Sequence, residues 1–244
     1  MEVAILTVGD EVLAGDTANT NATWLANRLT DRGARVVRIL TVPDDRELIA
    51  ETVSRWTDAF DAVIVTGGLG GTHDDVTADA IAQAFDRALV VDETVREDVI
   101  ATVAAYRDAN PETVEAHDVE IDVDAWAALP EGSRVLLNPE GLCPGCVLEN
   151  VYAFPGVPTE MKALFELVAS EFGGETLSRT LYTPQPEGSM LDALSGVRER
   201  FDVTVGSYPS TKGRNRLKVS GTDPDAVAEA VDWLRERIRV VPEE

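Results

Sequence analysis

The chain contains almost no lysine: Lys162, Lys212 and Lys218 are its only three, and arginines make up the rest of its 21 basic residues. The chain contains 44 aspartates and glutamates, and the excess of acids over bases gives a formal net charge of −23. No basic stripe is present that could displace counterions from a nucleic acid, so we expect no nucleic-acid partner. The acids are dispersed along the chain, which is typical of surfaces adapted to high salt, where screening removes self-repulsion. We therefore expect a halophilic source.

Long apolar runs are also absent. No stretch approaches the roughly 20 residues that a membrane helix requires. No signal peptide is recognisable, because Met1 leads directly into the apolar strand pattern of residues 3–8. We therefore expect a cytoplasmic protein without a membrane partner. Hydrophobic residues make up 44% of 244 positions, which is enough to bury one large core or two smaller ones.

Cysteine is limited to Cys143 and Cys146, in the sequence Cys-Pro-Gly-Cys. Such a pair can be half of a zinc site, a redox pair or two small residues in a turn. A zinc site with four ligands needs two more soft ligands, and the only histidines, His73 and His117, lie far away in the sequence. A thioredoxin-like βαβ context is missing as well. The pattern therefore favours small turn residues and leaves a redox role open.

The most informative stretch begins with a buried-strand pattern at residues 62–66 and breaks into glycines followed by carboxylates. The glycines are Gly67, Gly68, Gly70 and Gly71, and the carboxylates are Asp74 and Asp75. Glycines at the end of a parallel strand let backbone N–H groups approach a phosphate, and the next helix N-terminus adds partial positive charge. A carboxylate beside a phosphate repels it unless a divalent cation lies between them. The loop therefore predicts a phosphate-plus-metal site; the alternative is a tight strand-to-helix turn with a solvated aspartate pair.

Strand and helix patterns alternate over residues 1–173, which predicts a three-layer αβα domain with a mostly parallel sheet covered on both faces. Ligands of such sheets bind beyond the carboxyl ends of the strands. The predicted strands are 3–8, 35–42, 62–66, 89–91 and 134–137, and 147–154 is predicted to be extended. The predicted helices are 22–32, 43–56, 77–85, 93–107 and 159–172, the last one capped by Thr159. Residues 110–124 are acidic and irregular, which predicts a surface excursion.

The pattern changes after Gly173 and Gly174, which mark a linker. Strand, helix, strand, strand, helix and a short last strand then follow one another between residues 175 and 244. The predicted strands are 178–183, 203–208, 216–220 and 239–241, and the predicted helices are 189–200 and 224–238. This order is typical of a small ferredoxin-like α+β domain, and it carries no catalytic constellation.

Four motifs occur in one order along the first domain: GDEVLAGDTANTNATWLA from Gly9, VPDD at 42–45, the glycine loop, and PGVPTEMK at 155–162. Together they resemble the molybdopterin-binding-like (MoaB/Mog) domain of the competence/damage-inducible protein CinA family. The module from residue 175 resembles the intermediate domain of that family. Full-length members carry a further domain that deamidates nicotinamide mononucleotide; this chain stops at Glu244, so we expect no deamidase activity from it.

The resemblance implies metal-dependent hydrolysis of the pyrophosphate in ADP-ribose or a similar dinucleotide. Related domains adenylylate molybdopterin, and others form the N-terminal part of eukaryotic FAD synthases. Three functional classes therefore stand: a nucleotide pyrophosphatase, a molybdopterin-binding protein or adenylyltransferase, and a non-catalytic regulatory module that binds a nucleotide. The expected ligand is a small nucleotide or pterin. By resemblance we also expect a homo-oligomer, either a dimer or a trimer.

The acids at the strand ends are the expected catalytic residues. Asp10, Asp44 and Asp75 would hold Mg²⁺, Mn²⁺ or Co²⁺, which neutralises phosphate charge and lowers the pKa of the attacking water. Glu11 or Asp74 would accept the proton of that water. The other residues expected to contact the substrate are Gly67, Gly68, Gly70, Gly71, Thr77, Asn19, Asn21, Asn138, Gly141, Gly145, Gly156, Pro158 and Glu160.

Some of these positions carry alternatives or depart from the family pattern. Asn19 and Asn21 can instead form an Asx turn and a helix cap. Gly71 stands where the family commonly has proline, which gives a looser loop. Cys143 and Cys146 stand where the family has an alanine and an apolar residue, which supports neutral replacements near the pocket.

Overall fold

A computed structural model describes residues 1–72, 74–109, 121–210 and 213–242. These residues divide into two units, one of Met1–Asn27 with Val36–Glu171 and one of Arg28–Arg35 with Phe172–Glu244. His73, Lys212 and residues 110–120 of the predicted surface excursion lie outside the described residues. Within the described ranges, no helix combines the length and apolarity needed to cross a membrane.

The first unit is organised around a six-stranded sheet. Its strands are β1 (Glu2–Val8), β2 (Arg35–Val42), β3 (Ala62–Thr66), β6 (Arg134–Leu136), β7 (Gly145–Leu148) and β8 (Val151–Phe154). Their order is β2-β1-β3-β8-β7-β6. A separate antiparallel pair consists of β4 (Leu89–Val91) and β5 (Ala128–Pro130). The sequence pattern predicts β4 but not β5.

Helices connect these strands. They are α1 (Asp10–Leu13), α2 (Thr20–Asp31), α3 (Arg46–Thr57), α4 (Thr77–Ala84), α5 (Glu93–Ala109), α6 (Val123–Trp126) and α7 (Pro158–Val168), which is followed by a 3₁₀ turn at Ala169–Glu171. Asp45 caps α3 by accepting a hydrogen bond from the Leu48 N–H at 2.8 Å. The predicted cap of α7 at Thr159 was wrong. Val157 is the N-cap and has no side-chain cap bond, and Pro158 occupies a first-turn position where its missing N–H costs nothing.

Both faces of the central strands β1, β3, β8 and β7 are buried, as a sheet flanked by helices requires, whereas the edge strand β2 is largely exposed. On one face, Leu6 of β1 and Val65 of β3 belong to a cluster that includes Ile49 of α3 and Ile81 of α4. On the other face, Phe154 of β8 meets Phe165 of α7 at a ring centroid distance of 6.3 Å. The predicted three-layer αβα architecture is therefore confirmed.

The sheet is only partly parallel. β1 pairs with β3 and β3 with β8 in parallel, whereas β8 pairs with β7 and β7 with β6 antiparallel. The predicted single extended segment at 147–154 is a hairpin, because Glu149 adopts φ +51 and only Glu149 and Asn150 separate β7 from β8. A two-residue connection can join antiparallel strands, whereas a parallel crossover needs about a dozen residues.

The second unit follows the predicted ferredoxin-like order as far as its second helix. Its elements are β9 (Leu177–Thr183), a 3₁₀ turn at Glu187–Ser189, α8 (Leu191–Arg200), β10 (Thr204–Tyr208), β11 (Asn215–Gly221) and α9 (Pro224–Arg235). The antiparallel sheet has the order β10-β11-β9, and its core includes Leu217 and Val219 against Leu194 and Leu234. The predicted last strand, 239–241, was wrong: it is reduced to a single bridge between Val241 and Tyr182.

The end of β3 requires a residue without a Cβ. Gly67 has φ +103, and a Cβ there would overlap the backbone carbonyl oxygen of Val8. We expect Gly67→Ala to lower the free energy of unfolding for two reasons. The left-handed backbone conformation costs an alanine about 1–2 kcal/mol, and overpacking of its Cβ against β1 costs about 1–3 kcal/mol more. Gly132→Ala is a matched control, because Gly132 has φ +85 with nothing within 4 Å and therefore isolates the conformational cost. Equal losses for the two variants in urea unfolding would contradict the steric part of this prediction.

Candidate functional site

The carboxyl ends of β1, β3 and β8 lie side by side, since Thr7 pairs with Thr66 and Thr66 with Phe154. A cleft of about 350 Å³ opens at this edge. Its lining consists of Val8, Gly9, Glu11, Asp44, Gly67, Gly68, Leu69, Gly70, Asp74, Asp75, Trp126, Cys143, Pro155, Gly156, Val157 and Glu160. The cleft therefore lies where ligands bind in open α/β sheets.

The glycine loop is held to its neighbours by backbone groups and by Thr77. The Gly67 N–H donates to the Phe154 carbonyl at 3.0 Å. This N–H is therefore not available to a phosphate, contrary to the prediction for Gly67. Thr77 is fully buried; its N–H donates to the Gly68 carbonyl and its hydroxyl to the Gly67 carbonyl, each at 2.8 Å. Thr77 therefore supports the loop from behind and does not line the cleft.

The next three residues of the loop present backbone donors. The N–H groups of Gly68, Leu69 and Gly70 have no hydrogen-bond acceptor among the described residues, and all three residues line the cleft. The Gly71 N–H also has no described acceptor, but Gly71 does not line the cleft. Successive N–H groups at a concave surface form an anion-binding arrangement.

The side chains around these donors are acidic. Glu11, Asp44, Asp74, Asp75 and Glu160 line the cleft, and the described part of the lining contains no lysine or arginine. An anion at the loop would share the cleft with these five carboxylates. A bound phosphate therefore needs a cation or a proton to offset this charge.

Asp44 lies beside the loop, with its Oδ1 3.2 Å from the position that a Cβ on Gly68 would take. Its Oδ2 accepts a hydrogen bond from the Asp10 N–H at 3.0 Å. Burial raises the pKa of Asp44, and the nearby charges of Asp10, Glu11 and Asp74 raise it further, whereas the bond from the Asp10 N–H lowers it. The carboxylate of Asp10 is exposed and outside the lining, so Asp10 contributes its backbone to the site in this structure.

The two aspartates after the glycines close a turn. Asp75 accepts a hydrogen bond from the Thr72 N–H at 3.0 Å through Oδ2, and the Thr72 hydroxyl also contacts that oxygen. The same hydroxyl lies 2.6 Å from Asp74 Oδ1. Asp75 therefore combines a position in the cleft with a structural role in the turn.

The described residues contain no group of three or more Asp, Glu, His or Cys side chains that could hold a metal ion by themselves. Asp10, Asp44 and Asp75 thus do not form a ready-made cage, and their role as metal ligands stays a prediction. Mg²⁺ commonly binds through one or two carboxylates together with waters and substrate phosphate oxygens. Asp44 beside the free N–H groups of the loop fits that mode, in which the cation enters with the phosphate.

A second wall of the cleft is organised by Asn138. Its Nδ2 donates to Glu160 Oε2 at 2.8 Å and to the Cys143 carbonyl at 2.7 Å. Burial raises the pKa of Glu160, while hydrogen bonds from Asn138 and the Cys143 N–H lower it. Gly141 lies against Glu160, and Asn138 and Gly141 are not in the lining. These two predicted contacts therefore position Glu160.

Both cysteines are buried free thiols. The Cys143 thiol donates to the Leu69 carbonyl at 3.2 Å and so supports the glycine loop. Burial raises the pKa of Cys143 well above its usual value and that of Cys146 to about 12. Thiols in this state are poor nucleophiles and poor metal ligands. Cys143 precedes β7, as the interpretation as a small turn residue predicts, whereas for Cys146 the turn is wrong because β7 already begins at Gly145 and pairs Cys146 with Val135 and Ala153.

The remaining predicted contacts lie outside the lining. Asn19 caps α2, accepting from the Ala22 N–H at 3.0 Å, and its Nδ2 donates to Thr7 Oγ1 at 3.0 Å. Asn21 donates to the Gly156 carbonyl at 2.7 Å. Both side chains connect segments of the chain around the site. For Asn19, this agrees with the alternative interpretation as a helix cap. Gly145 and Pro158 also lie outside the lining, whereas the predicted Gly156 and Glu160 are part of it.

The most informative residue that the sequence does not reveal is Trp126. It is half-buried at the end of α6, it lines the cleft, and its indole packs against Gly71. It is separated from the loop by more than fifty positions, and no spacing pattern points to it. The lining residues Val8, Gly9, Leu69, Pro155 and Val157 adjoin predicted strand ends or motifs and could be inferred only from that proximity.

Comparison with known proteins assigns the fold to a family. Residues 4–173 match the model of the probable molybdopterin binding domain, and residues 175–243 match the middle domain of FAD synthase. The chain belongs to the molybdopterin-binding domain family. The resemblance inferred from four ordered motifs is thereby confirmed.

Three relatives illustrate this membership. A protein of Archaeoglobus fulgidus is 40% identical over 238 residues, which cover 97% of each chain. A CinA-like protein of Salinibacter ruber is 37% identical over 98% of this chain, which spans only 59% of that relative. The crystal structure of CinA from Thermoplasma acidophilum, a protein of unknown function, matches with a TM-score of 0.58 and 31% identity, covering 71% of this chain and 99% of the other.

The raised pKa of Asp44 leads to a prediction for binding. If Asp44 is a ligand of Mg²⁺ that binds with pyrophosphate, it must be ionised, so affinity should fall as the pH decreases through its raised pKa, earlier than for an aspartate with the ordinary value of 3.8. Asp44→Asn should weaken binding at neutral pH and flatten this pH dependence. Calorimetric titrations from neutral to mildly acidic pH measure both effects, with Asp58→Asn, an exposed position, as control. An unchanged pH profile in Asp44→Asn would exclude Asp44 as the titrating group.

Proposed function

We propose that the molybdopterin-binding domain of this chain binds a pterin that carries a phosphate or pyrophosphate, such as molybdopterin or its nucleotide. The observation that carries the proposal is the row of backbone N–H groups of Gly68, Leu69 and Gly70, which have no acceptor among the described residues and belong to residues that line the cleft. Membership in a family of probable molybdopterin-binding domains supports the pterin as ligand. We extend this to a protein of molybdenum cofactor metabolism, which either binds the pterin or adenylylates it.

The phosphate would lie against the loop, where backbone N–H groups bind an anion without the flexibility of lysine or arginine side chains. Asp44 and Asp75 are the side chains that would hold a divalent cation beside it, with phosphate oxygens completing the coordination. Such a cation, when bound, neutralises phosphate charge and polarises a bound water. Glu11 and Asp74, at the same end of the cleft, are acceptors for a proton released there.

The ring of the ligand would occupy the rest of the cleft. Trp126 offers an indole against which a planar heterocycle can stack. Glu160 offers a carboxylate as hydrogen-bond acceptor, held in place by Asn138. Pro155, Gly156 and Val157 add a wall without ionisable groups. A pterin or purine has both the flat face and the polar edge that such a pocket binds.

A second candidate is a metal-dependent pyrophosphatase that acts on ADP-ribose or a similar dinucleotide. The observation that favours it is the acidic character of the loop surroundings, because carboxylates around a phosphate suit metal-assisted attack of water. The two candidates differ in their requirements. An adenylyltransferase needs ATP and a pterin acceptor, whereas a hydrolase consumes its dinucleotide alone.

Binding of pyrophosphate provides the test. In folded protein at high salt, pyrophosphate should bind with Mg²⁺, Mn²⁺ or Co²⁺, and EDTA should weaken binding at least about tenfold, because the acids repel the uncompensated anion. Absence of binding in the presence of each metal would refute the proposal. Binding that is equally strong in EDTA would refute the bridging cation.

Turnover separates the candidates. Release of AMP from ADP-ribose alone would support the pyrophosphatase, whereas adenylylation only when ATP and molybdopterin are both supplied would support the transferase. With either activity, Asp75→Asn should lower kcat by about 100-fold or more while binding changes less, since its charge acts mainly on the reacting phosphate. The exposed variant Asp58→Asn serves as control. A full rate for Asp75→Asn would remove Asp75 from the mechanism.

A further inference from the structure

Glu160 is the one acid of the cleft that the phosphate site does not explain. It lies in the first turn of α7, next to the apolar wall formed by Pro155, Gly156 and Val157. Its described hydrogen bond comes from Asn138, whose Nδ2 donates to Oε2 at 2.8 Å. A carboxylate has about four acceptor sites, so this bond leaves acceptor capacity on a residue that lines the cleft.

A structural tie alone does not require a charge at this position. The Asn138 amide is a donor, and the amide oxygen of a glutamine could accept the same hydrogen bond. A carboxylate in this half-buried position costs desolvation, and no lysine or arginine of the described lining offsets it. The charge is therefore best matched by donors that arrive with the ligand.

Glu160 is also close enough to the phosphate loop to contact the same ligand. Asn138 and Cys143 connect the two: Asn138 Nδ2 donates to Glu160 Oε2 and to the Cys143 carbonyl, and the Cys143 thiol donates to the Leu69 carbonyl at 3.2 Å. Leu69 is the middle residue of the three free N–H donors. A ligand whose phosphate lies on the loop can therefore place its ring at Glu160, with Trp126 lining the same cleft.

We infer that Glu160 determines ring specificity: its carboxylate accepts two adjacent N–H groups from a 2-amino-4-oxopyrimidine edge, the edge that pterins and guanine share. Adenine presents an acceptor nitrogen where guanine presents a ring N–H. The carboxylate of Glu160 would be repelled by that acceptor nitrogen and would receive no hydrogen bond from adenine. A site that leaves a buried polar group unpaired in this way discriminates strongly against the ligand. The inference rests on the proposed function, because it names the ring whose phosphate the glycine loop holds.

Guanosine and adenosine diphosphate provide the probes, since they share the pyrophosphate and differ in the ring edge. With Mg²⁺ at high salt, GDP should bind about tenfold or more tightly than ADP, in line with the discrimination of one bidentate base contact. Glu160→Gln should reduce this ratio to near unity and leave the affinity for inorganic pyrophosphate unchanged. Glu166→Gln is the matched control: it removes the same charge from an exposed position on the same helix, outside the lining.

The outcomes distinguish the inference from the function on which it rests. If pyrophosphate binds but GDP and ADP bind equally well, or if Glu160→Gln keeps the preference, Glu160 only ties the loop and the inference is wrong. If pyrophosphate does not bind, the proposed function itself fails. Should Glu160→Gln not fold, inosine diphosphate provides the test on unmodified protein. It lacks the 2-amino group, and affinity equal to that of GDP would overturn the inference.

Discussion

The hydrogen bond from the Gly67 N–H to the Phe154 carbonyl is the interaction on which the site depends. It continues the β3–β8 ladder one residue past the end of the strand. The chain then leaves the sheet, so the donors of Gly68, Leu69 and Gly70 no longer have a neighbouring strand to pair with. Thr77, at the start of α4, binds the Gly67 and Gly68 carbonyls and so restrains the loop in the absence of a ligand. Such preorganisation reduces the entropy that binding must overcome.

Electrostatics act against this arrangement unless something positive is bound. The proposed anion-binding loop shares its cleft with five carboxylates, and one of them, Asp44, has a raised pKa because of burial and its acidic neighbours. The cleft should therefore disfavour a free anion and favour an anion whose charge is offset by a cation or a proton. Bound phosphate, cation and protonation state should consequently behave as one coupled equilibrium.

The sequence predicts the parts of the site that follow from local chemistry. The glycines after β3, the acids at the ends of β1 and β2, and the placement of the cleft at the carboxyl ends of the strands all follow from strand patterns and backbone requirements. What it misses depends on long-range packing. Trp126 reaches the loop only through the fold, and the hairpin at Glu149 depends on a left-handed residue that is not a glycine. Asn19 and Thr77, predicted as ligand contacts, are instead used by the fold to fix the loops around the cleft.

The bond between the Cys143 thiol and the Leu69 carbonyl makes this cysteine a built-in reporter. A buried, protonated thiol reacts with alkylating reagents only when the surrounding segment opens. The rate of its labelling thus measures how often the glycine loop separates from the wall that carries Glu160. Cys146 is still more deeply buried in the strand behind it and offers an internal reference for opening of the sheet. The labelling rates of the two native cysteines can therefore measure transient opening of the cleft without an introduced label.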